Sequence, residues 1–491
     1  MKFNNFAASL LLIALFCSGH RVNAQVGQDD SRASTPERTD SLLSSEPIKT
    51  RLKLAGNNRA ELERAIENVD PQQREGLSFL LLHMPEYDLK NLKADFLISN
   101  IKLAYRAREK ANWKIPDDVF FNDVLPYANI DEPRDPWRKK FFEMCWPIVQ
   151  ECKTPTEAAQ KLNQTIFGEL SVKYSTARKR ANQSPQESID QGLASCTGLS
   201  IILTDACRSV GVPARLAGIP SWKNKRGNHT WVEIWDQGWH FTGAAEYNPQ
   251  GLNRTWFQGD AALADPQSKL HSIYAVSFRK TNIDFPMVWS PEKRVYATNV
   301  TTRYLADQPT PPKKDSVNVM IRIWNQDKSE RKILNVVVIE DGKPSQKVSG
   351  RTKGGTADMN DMLTFALKPK TGYEVRVSPI ENADQTIAVF KIATSKQANQ
   401  LKEFLLDEDS AASNLDRDED KLMQNKPVAL PINEPLISAA DKFCWKAAPS
   451  PERFDRGSLS AIRQLVWDRY LKSVMPLRQQ ADFEIKINLE E

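Results

Sequence analysis

The sequence predicts an α+β protein in three parts: a helical N-terminal region, a mixed helix-and-strand core, and a C-terminal antiparallel β-sandwich with terminal helices. Three observations carry this reading. Apolar residues recur at helical spacing from about 57 to 112, and again over 137–170. A helix, a turn and a two-stranded hairpin follow one another between residues 195 and 242. Short alternating strands separated by turn signals begin after residue 315. A chain of 491 residues exceeds what one core normally serves, so several domains are expected.

Taken in order, residues 1–24 read as a secretory signal peptide. Met1-Lys2 leads into the apolar run Phe6 to Phe16, and Val22-Asn23-Ala24 offers a small-residue cleavage site. Cys17 raises a lipoprotein anchor as a minor alternative. The run is too short to span a membrane, and no later stretch approaches the ~20 apolar residues a span needs. Residues 25–50 are polar and read as a disordered linker. Over 51–184, Leu62, Ala65 and Ile66 share one helical face, and Leu97, Ile101 and Ala104 another; Pro71 and Pro85 punctuate these helices. Trp137 to Val149 and Pro155 to Leu170 form two more, with Thr154-Pro155 as a helix start. Residues 185–305 carry the candidate chemistry. Residues 306–314 are a Pro-rich linker, 315–396 the sandwich, and 397–491 a charged helix, a linker and a C-terminal helix.

The formal charge is +5. Cleavage after Ala24 would leave 65 basic residues against 62 acidic ones, a net +3. With both signs mixed and no long basic run, no nucleic-acid partner is expected. The chain is read as exported, periplasmic or extracellular, without stable membrane insertion once the signal is removed. Five cysteines would remain (Cys145, Cys152, Cys196, Cys207 and Cys444), and an odd count outside the cytoplasm suggests a free thiol. Cys145 and Cys152 could bridge locally or be buried thiols. No CxxC pair or local Cys/His cluster is present, so neither a metal nor another cofactor is expected.

Cys196 opens an apolar helix whose stripe is Leu199, Leu203, Ala206 and Val210, and Gly211 closes it. A thiol attacks as thiolate, and the first-turn N–H groups of a helix, with a nearby imidazolium, favour that form. His229 begins a strand that pairs with Trp239 to Thr242 around Asp236-Gln237-Gly238, and would relay the proton. An acid on the far side of the imidazole would fix its orientation. Glu246, Asn248 and Asp236 are the candidates, and Glu246, just after the second hairpin strand, is preferred. The oxyanion hole would be the Cys196 N–H with Gln191 as second donor. His240 and His271 read as structural, and Glu233 and Trp231 as shaping their strand.

The ordered set Cys196-Thr197-Gly198-Leu199-Ser200, Gly211-Val212-Pro213-Ala214-Arg215, His229-Thr230-Trp231-Val232-Glu233 and Gly238-Trp239 resembles the transglutaminase-like superfamily. The resemblance implies a papain-like core and a cysteine enzyme acting on peptide or carboxamide bonds through an acyl-thioester. It also implies a protein or peptide substrate, cell-wall peptides among the candidates. Many members end the second strand with an Asp; here Gly243 stands at that place and Glu246 follows. An inactive scaffold that keeps the fold is the alternative.

Overall fold

The computed structural model describes residues 42–305 and 316–406. Helices α1 (Glu46–Leu54), α2 (Arg59–Asn68), α3 (Arg74–His83), α4 (Glu86–Asn91), α5 (Ala94–Ala111) and α6 (Asp117–Asp123) come first. Their apolar stripes meet in one core that includes Leu62, Ile66, Leu80, Leu97, Ile101 and Phe120. Helix α1 corrects the expectation that the linker runs to residue 50. Ile48 and Leu52, four apart, are buried together, and Arg51 donates to the Leu81 and Met84 carbonyls. A short apolar pair suffices when a neighbouring core receives it.

Next come α7 (Trp137–Val149), α8 (Pro155–Glu169), strand β1 (Lys173–Tyr174), α9 (Pro185–Gln191), β2 (Leu193–Ala194) and α10 (Cys196–Ser209). Strands β3 (Ala214–Ile219), β4 (His229–Trp235) and β5 (Trp239–Thr242) follow. Then come α11 (Gln258–Ala261), β6 (Tyr274–Val276), β7 (Ile283–Asp284), β8 (Tyr296–Asn299) and α12 (Thr301–Tyr304). The sheet order is β5-β4-β3-β6-β8-β7, antiparallel at every pairing.

Helix α10 lies between this sheet and helices α7 and α8, and every residue from Thr197 to Ser209 is buried. A helix apolar only on one stripe would be at the surface; here Ile201, Ile202 and Leu203 face three directions at once. Arg208 stays buried because its guanidinium donates to the carbonyls of Asp123, Ala128 and Ala214, which ties α10 to the helical region. Helix α10 is therefore packed on all sides past its first residue.

After residue 316, β9 (Val317–Asn325), β10 (Asn335–Glu340), β11 (Lys343–Arg351), β12 (Leu363–Leu367), β13 (Gly372–Ser378), β14 (Ala388–Ala393) and β15 (Asn399–Leu406) make two sheets. Their orders are β11-β10-β13-β14 and β12-β9-β15, with Val319, Ile321, Val336, Val375 and Phe390 in the core between them. Strand β15 differs from the expected charged helix. It pairs in parallel with β9 and buries Phe404, 4.3 Å from Phe390. Main-chain pairing and one aromatic contact override a mixed charged composition. The rest of the expected charged helix, the C-terminal helix, the signal peptide and the Pro-rich linker lie outside the described residues. Among the described residues no helix is long and apolar enough to cross a membrane.

Candidate active site

Cys196 occupies the first turn of α10. Ser195 caps the helix by accepting from the Gly198 N–H at 3.0 Å, so the chain enters extended and turns at the sulfur. Cys196 is partly exposed while the rest of its helix is buried. Cys145, Cys152 and Cys207 are also free thiols, all buried; burial pushes the Cys145 thiol up to about 12. Among the described residues the local bridge between Cys145 and Cys152 is not made.

Strand β4 starts at His229, and its neighbours fix the ring. Trp256 and Phe257 lie 4.9 Å from the imidazole centroid and Trp231 5.8 Å. Behind it Glu233 bonds Arg215, Arg303 and the Tyr304 hydroxyl, a structural role. His240 and His271 are spent on Asp236, Asn253 and Ser221, and Asp236 accepts from the Thr156 N–H at the start of α8.

The carboxylate against His229 comes from the other end of the chain. Asp358, in the β11–β12 loop of the sandwich, places Oδ2 3.5 Å from His229 Nδ1. A sulfur, a ring nitrogen and a carboxylate oxygen of Cys196, His229 and Asp358 all lie within 4.8 Å of one another. The loop is rigidly held. Arg331 donates to the carbonyls of Ala357, Asp358 and Asp361, and Arg322 to that of Met359. It is also docked on the core. Arg226 donates to Asn360 O at 3.0 Å and Thr364 Oγ1 at 2.5 Å and pairs with Asp260 at 3.1 Å; Asn360 donates to Asn228 O at 2.7 Å. Arg226 is thus the bolt between the two parts. Nothing near Asp358 in sequence marks it, since 129 positions separate it from His229.

Glu246 lies in the same pocket, a cavity of about 390 Å³ also walled by Cys196, His229, Trp256, Tyr174 and Asp358. Its carboxyl folds back over Gly243: a Cβ added there would stand 1.9 Å from Glu246 Oε2. Glu246 thus fills the space that a side chain at 243 would take, and Gly243 is required for it. Burial pushes the Glu246 carboxyl up to about 7, with His229 opposing and Asp358 adding to the rise. Gln191 does not line the pocket. Its amide oxygen accepts from the Lys179 N–H and the Gln183 amide, both at 3.1 Å, stapling the loop before α9. Its place at the C-terminal end of α9 turns it toward that loop, so the expected oxyanion role is not met by its position. Tyr174, which the sequence reading passed over, does line the pocket.

The electrostatics favour an ionised pair. Burial pulls the His229 imidazole down, but the Asp358 carboxylate and the Cys196 sulfur outweigh it, leaving His229 well above its usual range. Burial pushes Asp358 up, and His229 overrides it, holding Asp358 below the usual carboxylate range. Burial, Asp358 and Cys196 hold the Tyr174 phenol in its neutral, donating form.

Residues 143–244 match the family model of the transglutaminase-like superfamily core. No curated protein sequence matches the chain. Among solved structures it is similar to a candidate cysteine protease from Cytophaga hutchinsonii, with 17% identity over 33% of this chain and a TM-score of 0.20. It is similar also to red sea bream transglutaminase, with 9% identity over 60% of this chain and a TM-score of 0.27. The chain spans 52% of the former's length and 66% of the latter's.

Proposed function

Taking residues 143–244 as a transglutaminase-like core, we propose that this protein is an exported cysteine enzyme that cleaves peptide or carboxamide bonds through an acyl-thioester on Cys196. The observation that carries the reading is a sulfur on the first turn of α10, partly open to a pocket, within 4.8 Å of the His229 ring. Cys196 attacks the carbonyl carbon as thiolate. His229, held as imidazolium by its surroundings, protonates the leaving amine and then takes a proton from water, which releases the acid. The oxyanion is met by the Cys196 N–H, unbonded within the first turn, and by the Tyr174 hydroxyl. Asp358, 3.5 Å from Nδ1, orients the imidazole and stabilises its charge, and Glu246 acts on it only through the field of the pocket.

Hydrolysis is favoured over transfer because the wall of the pocket is largely polar and charged, and water is abundant where an exported enzyme works. Export rests on the apolar run and cleavage site within residues 1–24. The test is incubation of the full chain with casein, a fluorescent primary amine and soluble cell-wall peptides, read by mass spectrometry beside Cys196→Ala. Cleavage or glutamine deamidation that Cys196→Ala abolishes supports hydrolysis. Amine incorporation would assign transfer. Wild type indistinguishable from Cys196→Ala would leave a scaffold and overturn the enzyme reading.

A further inference from the structure

The positions of Cys196, His229 and Asp358 raise a second possibility for the same cleft. A thiol and a carboxylate held by opposite nitrogens of one imidazole stand about 7 Å apart, a ring width plus two hydrogen bonds. Here all three donor atoms lie within 4.8 Å of one another, so sulfur and carboxylate converge on one edge of the ring. Three donor atoms this close can hold one cation between them as well as exchange a proton. A second observation points the same way: His229 Nε2 and Glu246 Oε2 are buried without a hydrogen-bond partner, and His229 Nδ1 and Asp358 Oδ2 have only each other, at an ion-pair distance of 3.5 Å. Four atoms so incompletely satisfied around one cleft are costly unless something completes them.

We infer that Cys196, His229 and Asp358 form a site for a zinc ion, which blocks the nucleophile reversibly. The donors are thiolate, imidazole and carboxylate, the set that selects zinc over magnesium or calcium. For three atoms no more than 4.8 Å apart, an ion at their centre stands within about 2.8 Å of each, against about 2.0–2.3 Å for zinc bonds. Small side-chain rotations close that gap. Three protein donors leave a fourth position to water, on the pocket side. Binding forms a metal–sulfur bond and releases to solvent the one proton that the thiol–imidazole pair carried. Asp358 arrives on a loop braced by Arg331 and Arg322, so the site exists only while the sandwich is docked.

Cobalt(II) is the probe, because its thiolate complex absorbs in the near ultraviolet and its tetrahedral d–d bands are intense. The chelator-treated full chain is titrated with Co²⁺ alone, then with Zn²⁺. The expected result is one equivalent of Co²⁺ with a sulfur charge-transfer band, displaced by Zn²⁺. The band should vanish in Cys196→Ser, weaken at least tenfold in affinity in Asp358→Asn, and persist in Cys152→Ser. If Asp358→Asn fails to fold by circular dichroism, His229→Gln carries the same comparison. No band in wild type, a band surviving Cys196→Ser, or equal affinity in folded Asp358→Asn (or in the His229→Gln that replaces it) overturns the site. The readout needs no turnover, so a protein that proves catalytically inactive leaves this result standing, and the reverse.

Discussion

Replacing Glu246 by Gln tests the electrostatic account of the pocket directly. The carboxyl lines the pocket with its Oε2 buried, on a residue that is half-buried overall, and desolvation raises its affinity for a proton from 4.5 to about 7. A raised folded value means the native state holds the proton more tightly than the unfolded chain. The associated stability is therefore fully present below pH 4.5 and is lost as pH rises through 7. At 1.36 kcal/mol per unit, the loss across that window is at most about 3 kcal/mol, reduced where water in the pocket screens the carboxyl. Glutamine keeps the shape and cannot titrate. Urea unfolding of the full chain, followed by the fluorescence of Trp222, Trp231 and Trp256 around the site, would compare wild type with Glu246→Gln from pH 4.5 to 8. The variant should gain on wild type by up to about 3 kcal/mol over that range and hold the gain above pH 7.5. A difference that stays flat across the window would refute the claim that Glu246 titrates inside this cavity.

Three further outcomes follow from the same geometry. Asp358→Asn removes the charge 3.5 Å from His229 Nδ1, so the imidazole should titrate lower than in wild type by proton NMR, and turnover should fall about 10–100-fold; an unchanged histidine titration would separate Asp358 from the site. Arg226→Ala deletes bonds to Asn360 and Thr364 and the pair with Asp260, and should cost about 3 kcal/mol in calorimetry while lowering activity, because the Asp358 loop loses its bolt. Gly227→Ala places a Cβ 3.1 Å from Asn360 Oδ1 at a φ of +108°, and should destabilise by about 1–3 kcal/mol in thermal melts; a neutral effect would mean the loop docks elsewhere.

The sequence alone determined a good deal of this molecule. Helices at Trp137 and Pro155, the helix opened by Cys196, the hairpin after His229 and the alternating strands after Val317 are all written in local periodicity and in turn residues, which act within a few positions. The thiol and the imidazole were legible because a helix start and a strand start have local signatures. Glu246 was legible as a carboxylate of the pocket, though not its seat over Gly243, which depends on the absence of a side chain at 243. Gln191 was misplaced because polarity and nearness in sequence do not say which way an amide turns at a helix end. Asp358 and Arg226 could not be read at all. Their roles arise where the sandwich meets the core, across more than a hundred residues, and such a contact leaves no periodic trace in either segment. Local forces fixed the parts; packing of two independently patterned cores decided which charge would stand beside the imidazole, and hence the chemistry of the cleft.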